Sequence, residues 1–361
     1  MKKLTILLLV SACWLWAKPV DLQMGARAFG MGGAFVAIAN DATTTYWNPA
    51  GLAQINDITF SETNWLLTDV EGVNVNYLDA VFPIKGIGTI AGGWLLQHAL
   101  LEEKNGGEVR ENTWNESSFS LAAGRELWNK LWIFERTSVG FSLNRHVITT
   151  STDANGAGLG FDLGLWTAFP YGISLAMVAR SIATDMMGDK ISPEYKVGLG
   201  YTFIHPMHRV TVAADVASKQ DVEYEEGVQG ADVFLGSNYK WFGGLEYCFM
   251  YQDWWVGLRG GANRMFVSER GNTVITAGGG FGYGGMDLNY AWQTNTEDEF
   301  SLGMTHRISF ELRLQSLMNV INGKKKEPSS LIFDEPAKDK SDESESSDDV
   351  TLTPAKSILD E

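Results

Sequence analysis

The sequence predicts an all-β protein: a 14-stranded antiparallel transmembrane β-barrel whose N-terminal segment plugs the lumen. Three observations carry this reading. An export leader opens the chain, segments of roughly ten residues with period-two alternation fill most of it, and tight connections alternate with longer polar ones.

Lys2 and Lys3 form a positive start, Leu4 to Val10 a short apolar run, and small residues follow. This is the layout of a secretory signal peptide. Cleavage after Ala17 is the preferred reading. The alternative takes Val10-Ser11-Ala12-Cys13 as a lipoprotein box and leaves Cys13 lipidated, with a very short apolar run. After cleavage at Ala17, Cys248 is the one cysteine left, so stability has to come from something other than an internal disulfide. A closed sheet supplies it, because every strand edge is paired.

No later segment reaches the roughly 18 consecutive apolar residues of a spanning helix. Yet 39 Gly and 13 Trp in 361 residues suit a curved sheet with aromatic belts better than an ordinary soluble domain. A net charge of −16 argues against nucleic acid and against anionic lipid surfaces as partners of the chain as a whole.

The alternation is plain in several places. Val139, Phe141 and Leu143 face one way, and Ser138, Gly140, Ser142 and Asn144 the other. Val197, Leu199, Tyr201 and Phe203 likewise oppose Lys196, Gly198, Gly200 and Thr202. Strands are expected at 57–65, 73–83, 86–98, 115–127, 135–149, 157–169, 171–181, 194–204, 208–218, 237–250, 253–264, 272–283, 285–294 and 299–311. The count is even, as in bacterial single-chain barrels. Pro83-Ile84-Lys85, Pro170, His205-Pro206-Met207, Tyr251-Gln252 and Gly284 mark tight turns, while 99–114, 182–193, 219–236, 265–271 and 295–298 are longer. The connection 128–134 is an exception, reading as long and aromatic where a tight turn belongs. Short periplasmic turns and longer external loops are the asymmetry of an outer-membrane barrel. Aromatics gather on the short-turn side, among them Trp128, Trp132, Phe169, Tyr171, Trp254 and Trp255, which predicts a periplasmic girdle. Past Arg313 the pattern stops. Leu314 to Ile321 can form a short helix, and residues 324–361, with six Lys against eleven Asp plus Glu, read as a disordered acidic periplasmic tail.

Ahead of the first strand the composition changes. Residues 25–41 read G-A-R-A-F-G-M-G-G-A-F-V-A-I-A-N-D, and Trp47-Asn48-Pro49-Ala50-Gly51-Leu52-Ala53 follows shortly after. A segment packed inside a wide barrel has to approach the wall closely and so is rich in Gly and Ala. A small-faced helix is expected over Met31 to Ala39, with a turn set by Asn48-Pro49. A phosphate-binding loop at Gly30-Met31-Gly32-Gly33 fails on context, because no strand precedes it. The segment resembles the N-terminal hatch of the FadL-type outer-membrane transport proteins. Its opening "G-A-R-A-x-G-M-G-G-A" is most similar to their PorV and PorQ relatives. The direct resemblance covers residues 25–53.

What the resemblance implies is passage of a hydrophobic small molecule, such as a long-chain fatty acid, past a hatch that shifts to release it. Hatch and gating positions are then Gly30, Gly32, Gly33, Asp41, Asn48, Pro49, Ala50 and Gly51. A gap or kink in the wall lets apolar cargo leave sideways in that family, and Gly278-Gly279-Gly280 or Gly260-Gly261 are candidate places, though relief of strand strain is the stronger reading of them. Asp162, Arg180, Lys196, Asp215, Asp287 and Arg307 fall on the inferred lumen face as an ion-paired or solvated lining. Contact with a ligand carboxylate is a second role for Arg180, Lys196 and Arg307.

Enzyme motifs are missing from the sequence: there is no G-x-S-x-G, no H-E-x-x-H and no cysteine cluster, and His205 with His208 lacks a third metal ligand. The reading is therefore a non-enzymatic protein with no cofactor. Its domains are a signal peptide at 1–17, a hatch at 18–56, a barrel at 57–313 and a tail at 314–361. The expected partners are outer-membrane lipids and a hydrophobic small-molecule ligand. The alternative function is a PorV-like component of a type IX secretion system, which binds cargo and secretion-machinery proteins at the outer membrane.

Overall fold

The computed structural model of the chain describes residues 22–67, 72–105, 108–151, 155–186, 189–191, 193–219, 239–265, 272–295 and 305–324. The leader at 1–17, the acidic tail beyond 324 and nearly all of the expected loops 219–236, 265–271 and 295–298 lie outside these residues.

Fourteen strands form the wall. They are β1 (Thr59–Leu67), β2 (Val73–Ile84), β3 (Gly88–Asn105), β4 (Glu108–Leu131), β5 (Phe134–Thr150), β6 (Gly156–Phe169), β7 (Ile173–Met186), β8 (Glu194–His205), β9 (His208–Lys219), β10 (Tyr239–Tyr251), β11 (Trp254–Met265), β12 (Asn272–Tyr283), β13 (Met286–Asn295) and β14 (Thr305–Arg313). The short piece Asp189–Ile191 extends the line of β8 along β7. Each strand pairs antiparallel with its sequence neighbour. Pairing of β1 with β14, from Thr59 opposite Arg313 to Leu67 opposite Thr305, closes the ring. No wall edge is left open, which is the condition for a sheet to cross lipid.

The side chains are inverted relative to a soluble sheet. Along β8, Lys196 is 1% exposed while Leu199, three residues on, is 54% exposed. Leu121, Leu163, Val212, Val256 and Leu258 also face outward, and Ser142, Asp215, Glu246 and Asn263 are buried inside. A leucine left in water forfeits about 1.5–3 kcal/mol, so a continuous belt of such residues belongs against lipid.

Two connections differ from the sequence-based expectation. The stretch 128–134 is a tight hairpin after all, because β4 continues to Leu131 and β5 begins at Phe134. A register slip between Glu126 and Trp128, with positive φ at Lys130 and Trp132, absorbs the extra length. On the opposite side, 99–114 is mostly strand, the β3–β4 ladder running out to Asn105 opposite Glu108. Polar residues there break the alternation that reveals a lipid-facing strand, yet a hairpin standing in water needs no apolar face. The girdle is corrected at one position: Trp255 turns inward and its Nε1 donates to Asp287 at 2.7 Å. Trp132 and Tyr171, at the turns, are over nine-tenths exposed.

The leading segment is buried almost throughout residues 22–55. It contains helix α1 (Ala26–Gly30), helix α2 (Thr44–Trp47) and a 3₁₀ turn over Pro49–Gln54. The helix expected at Met31–Ala39 is not there. It lies one turn earlier, because Gly32 and Gly33 adopt φ of +67° and +79° and end it. Asn48 is extended, as a residue before proline should be, and its Oδ1 accepts from the Ala50 amide at 3.0 Å. After β14 a third helix, α3 (Leu314–Ile321), completes the described chain.

Candidate functional site

The site is the contact between the leading segment and the inner wall. Strands from all round the ring touch it: Gly93 and Gly124 from β3 and β4, Ser138 from β5, Lys196 from β8, Asn263 from β11 and Ser309 from β14. A segment touched from every side of a closed ring occupies the lumen.

Its backbone is mostly irregular, so its N–H and C=O groups need partners from elsewhere. Inward wall side chains provide them. Ser138 Oγ donates to Ala50 O at 2.8 Å, Trp166 Nε1 and Ser174 Oγ to Ala37 O at 2.8 and 2.9 Å, and Asn263 Nδ2 to Gly32 O at 3.0 Å. Ser309 Oγ accepts from the Ala26 amide at 2.7 Å. Neutral bonds of this kind are worth about 0.5–1.5 kcal/mol each, and they add to an apolar cluster in which Phe35, Val36, Ile38 and Trp47 are buried together with Trp166, Val178 and Phe242 of the wall.

Charged groups hold the segment at four points. Arg180 Nη2 donates to Tyr46 O and Trp47 O at 2.8 and 3.0 Å, with its guanidinium 4.7 Å from the Tyr46 ring centre. Lys196 Nζ donates to Gly33 O at 2.9 Å and stands 3.8 Å from the Phe242 ring centre. Asp215, 3.5 Å from that ammonium, accepts from the Phe35 and Val36 amides at 2.7 and 3.1 Å. Arg307 donates to Gln23 O and lies 3.6 Å over the Phe29 ring. Burial of these cations is compensated by carbonyl oxygens and ring faces together. The fourth point is Glu246, fully buried, which accepts from Arg27 of the segment and from Arg209 and Arg259 of the wall.

Close approach explains the glycines. A Cβ on Gly32 would meet Ala262 N and Gly243 O at 2.7 Å. Gly140 lies against Pro49 and Ala50, Gly164 against Asn48, and Gly244 and Gly261 against Met31 and Gly32. Gly30 faces Gly278 and Ala291. Within the segment, Gly51 packs against Ala39 O, Gly33 against Gln23, and Asp41 pairs with Arg27 at 3.2 Å and accepts from Thr43.

Of the expected hatch positions, Gly30, Gly32, Gly33, Asn48, Pro49 and Ala50 meet the wall, Asp41 and Gly51 contact the segment itself, and Arg180, Lys196 and Arg307 direct polar bonds onto the segment. Asp162 and Asp287 instead bond within the wall, to Ser142 and Asn144 and to Trp255 and Arg313. Sequence reasoning missed Arg27, Arg209, Glu246, Arg259 and Asn263. The signal was present: Glu246 sits between Leu245 and Tyr247, on the inward register of an otherwise apolar strand. At Gly260–Gly261 and Gly278–Gly280 the ladder is continuous, Gly260 opposite Ala277 and Gly278 opposite Arg259, so the wall has no gap there. His205 and His208 are a turn pair, with His208 Nδ1 2.8 Å from Tyr247 OH.

Two cavities adjoin the site. Toward the end of the barrel where β14 finishes, a polar one of about 100 Å³ lies between Arg27, Asp41, Arg259, Asp287, Glu311 and Arg313. On the lipid-facing side a shallow groove of about 560 Å³ crosses β1 to β4 and β14, lined by Phe60, Leu78, Trp94, Phe119 and Leu121 with the Glu62 carboxylate among them.

No family model matches the chain, and no curated protein matches its sequence. Solved structures do match in fold. A CymD monoaromatic hydrocarbon channel aligns with a TM-score of 0.57 at 11% identity, covering 82% of this chain and 99% of that one. The toluene transporter TodX of Pseudomonas putida aligns at 0.50 with 11% identity, covering 81% and 98%. A TodX deltaS2S3 mutant aligns at 0.51 with 12% identity, covering 82% of this chain and all of the other. The barrel fold is therefore that of the outer-membrane hydrocarbon channels.

Proposed function

We propose that this protein is an outer-membrane channel for hydrophobic compounds, held shut by its own leading segment. The observation that carries the reading is the seating of residues 22–55: the wall grips them through many small polar contacts in a barrel that shares the hydrocarbon-channel fold over 82% of its length. Binding of an apolar molecule from outside shifts the segment, and the cargo passes between it and the wall. Long-chain fatty acids fit this scheme, with Arg180, Lys196 and Arg307 freed to meet a carboxylate as the segment moves. The acidic tail lies in the periplasm on this reading.

The test is uptake by vesicles containing the purified protein, offered a radiolabelled long-chain fatty acid and a monoaromatic hydrocarbon, with mass spectrometry of what co-purifies. Saturable uptake of either compound supports the proposal; leakage equal to protein-free vesicles rejects it.

One observation favours a second reading, a PorV-like cargo-binding component of a secretion machine. The cavity below the segment is small and polar, whereas a transport path is expected to be apolar there. Stoichiometric isolation with large secreted proteins, and no small-molecule uptake, is the result this reading requires.

A further inference from the structure

Helix α3 leaves the barrel at the periplasmic rim, and its start is fixed twice. The Asp57 carboxylate accepts from the Gln315 and Ser316 amides at 2.8 Å each, and the Leu314 amide donates to Ile58 O at 2.9 Å. One side of the helix packs on the β12–β13 turn, where Val320 lies against Gly284 and Ser316 against Gly285. The helix is thus set at a fixed place and angle.

Its other side is apolar and open. Leu314, Met318 and Ile321 are four and three residues apart, so they form one stripe, and they are 39%, 46% and 66% exposed. Gln315 lies off the stripe and is exposed as well, whereas Asn319 is half-buried toward the barrel. The stripe continues the lipid-facing belt, since Ile58 and Phe60 at the foot of β1 and Phe310 on β14 are outward and exposed. Lys324, exposed just past the helix, opens a run of three lysines in the sequence.

We propose that α3 is an in-plane membrane anchor, its stripe inserted among the acyl chains of the periplasmic leaflet and Lys324 set at the level of the phospholipid phosphates. The occupant is phospholipid because the stripe is continuous with a surface that already meets lipid, and because a cation follows it where phosphates lie. Such an anchor fixes the depth of the periplasmic rim, and with it the point at which the tail leaves the membrane. The inference is independent of what the barrel carries.

The experiment uses the full chain with Cys13→Ser and Cys248→Ser, carrying a single environment-sensitive fluorophore on Ile321→Cys, Met318→Cys or Gln315→Cys. Each is reconstituted in phosphatidylethanolamine and phosphatidylglycerol vesicles, some bearing a nitroxide near the top of the acyl chain. Interfacial insertion reaches about 5–10 Å below the headgroups, so quenching at 321 and 318 is expected to be about twofold stronger than at 315, with blue-shifted emission. Equal quenching at all three positions overturns the proposal, and so does stronger quenching of 321 by aqueous iodide. Met318 and Ile321 report separately, so failure of one variant to fold leaves the other as the test.

Discussion

Replacing Glu246 with Gln takes one negative charge from the centre of three guanidinium groups. Its Oε1 accepts from Arg27 Nε at 2.9 Å and Arg259 Nε at 2.6 Å, and its Oε2 from Arg27 Nη2 at 3.1 Å and Arg209 Nη2 at 2.9 Å. The carboxylate is fully buried. Removing one member of a buried ion cluster costs about 3–5 kcal/mol, because the others stay behind uncompensated. Where that cost appears is decided by the bonding. Arg27 keeps Asn40 and Asp41 at 2.6 and 3.2 Å on its own segment, and the β9–β10 and β10–β11 ladders do not depend on Glu246. Arg209 and Arg259 stay in the wall whether or not the segment is seated, so the part of the loss that unseating relieves is the share of Arg27. At about a third of the total, roughly 1–1.7 kcal/mol, the unseated fraction rises about five- to fifteenfold. Single-channel recording in planar bilayers reads this as more frequent openings than the parent protein shows, while heat-modifiable gel mobility shows the barrel still folded. A folded variant with the parent's conductance refutes the reasoning, as does loss of the barrel itself, which would make Glu246 a wall residue first.

Other consequences follow from the same interface. Gly32→Val forces a side chain into β10 and β11 backbone at a φ of +67°, and overpacking alone costs about 1–3 kcal/mol; raised dye permeability with an intact barrel is expected. Trp47→Ala empties a fully buried site packed on Phe35 and Tyr46 and loses the Nε1 bond to Met24 O, a cost of about 3–5 kcal/mol, read as faster proteolysis of the leading segment in detergent. Leu163→Arg puts a charge on the outward face of β6 and should reduce the stability of the barrel in bilayers by about 2–4 kcal/mol, measured by denaturant titration; no change would place that face against water.

The barrel was legible because lipid on one side and a polar interior on the other impose a strict period of two. The β12 span read from the sequence is Asn272–Tyr283, as in the structure, and β2 and β9 differ by one residue. Legibility failed where that constraint lapses. The outer β3–β4 hairpin runs Glu102-Glu103-Lys104-Asn105-Gly106-Gly107-Glu108 in sequence, without alternation, so it read as a loop. The bulge at Glu126–Trp128 hid a tight turn in aromatic residues. In the leading segment, composition revealed close packing but not conformation: Gly32 and Gly33 were read as small-faced helix residues, and their positive φ ends the helix instead. Wall glycines were read as relief of curvature, whereas Gly140, Gly164, Gly244 and Gly261 are set by the backbone lying against them. That partner is over a hundred residues away in sequence for Gly164, and no local pattern records it.

The most direct test joins the segment to the wall. A Cβ on Gly30 would lie 3.4 Å from the Cβ of Ala291, close to the separation of about 3.5–4.5 Å that a disulfide spans. Gly30→Cys with Ala291→Cys, in a background without Cys13 and Cys248, is predicted to oxidise readily, abolish uptake of hydrophobic compounds into vesicles, and regain it on reduction. Failure to cross-link would contradict the enclosure of residues 22–55, and undiminished uptake by the cross-linked protein would contradict movement of that segment as the gate.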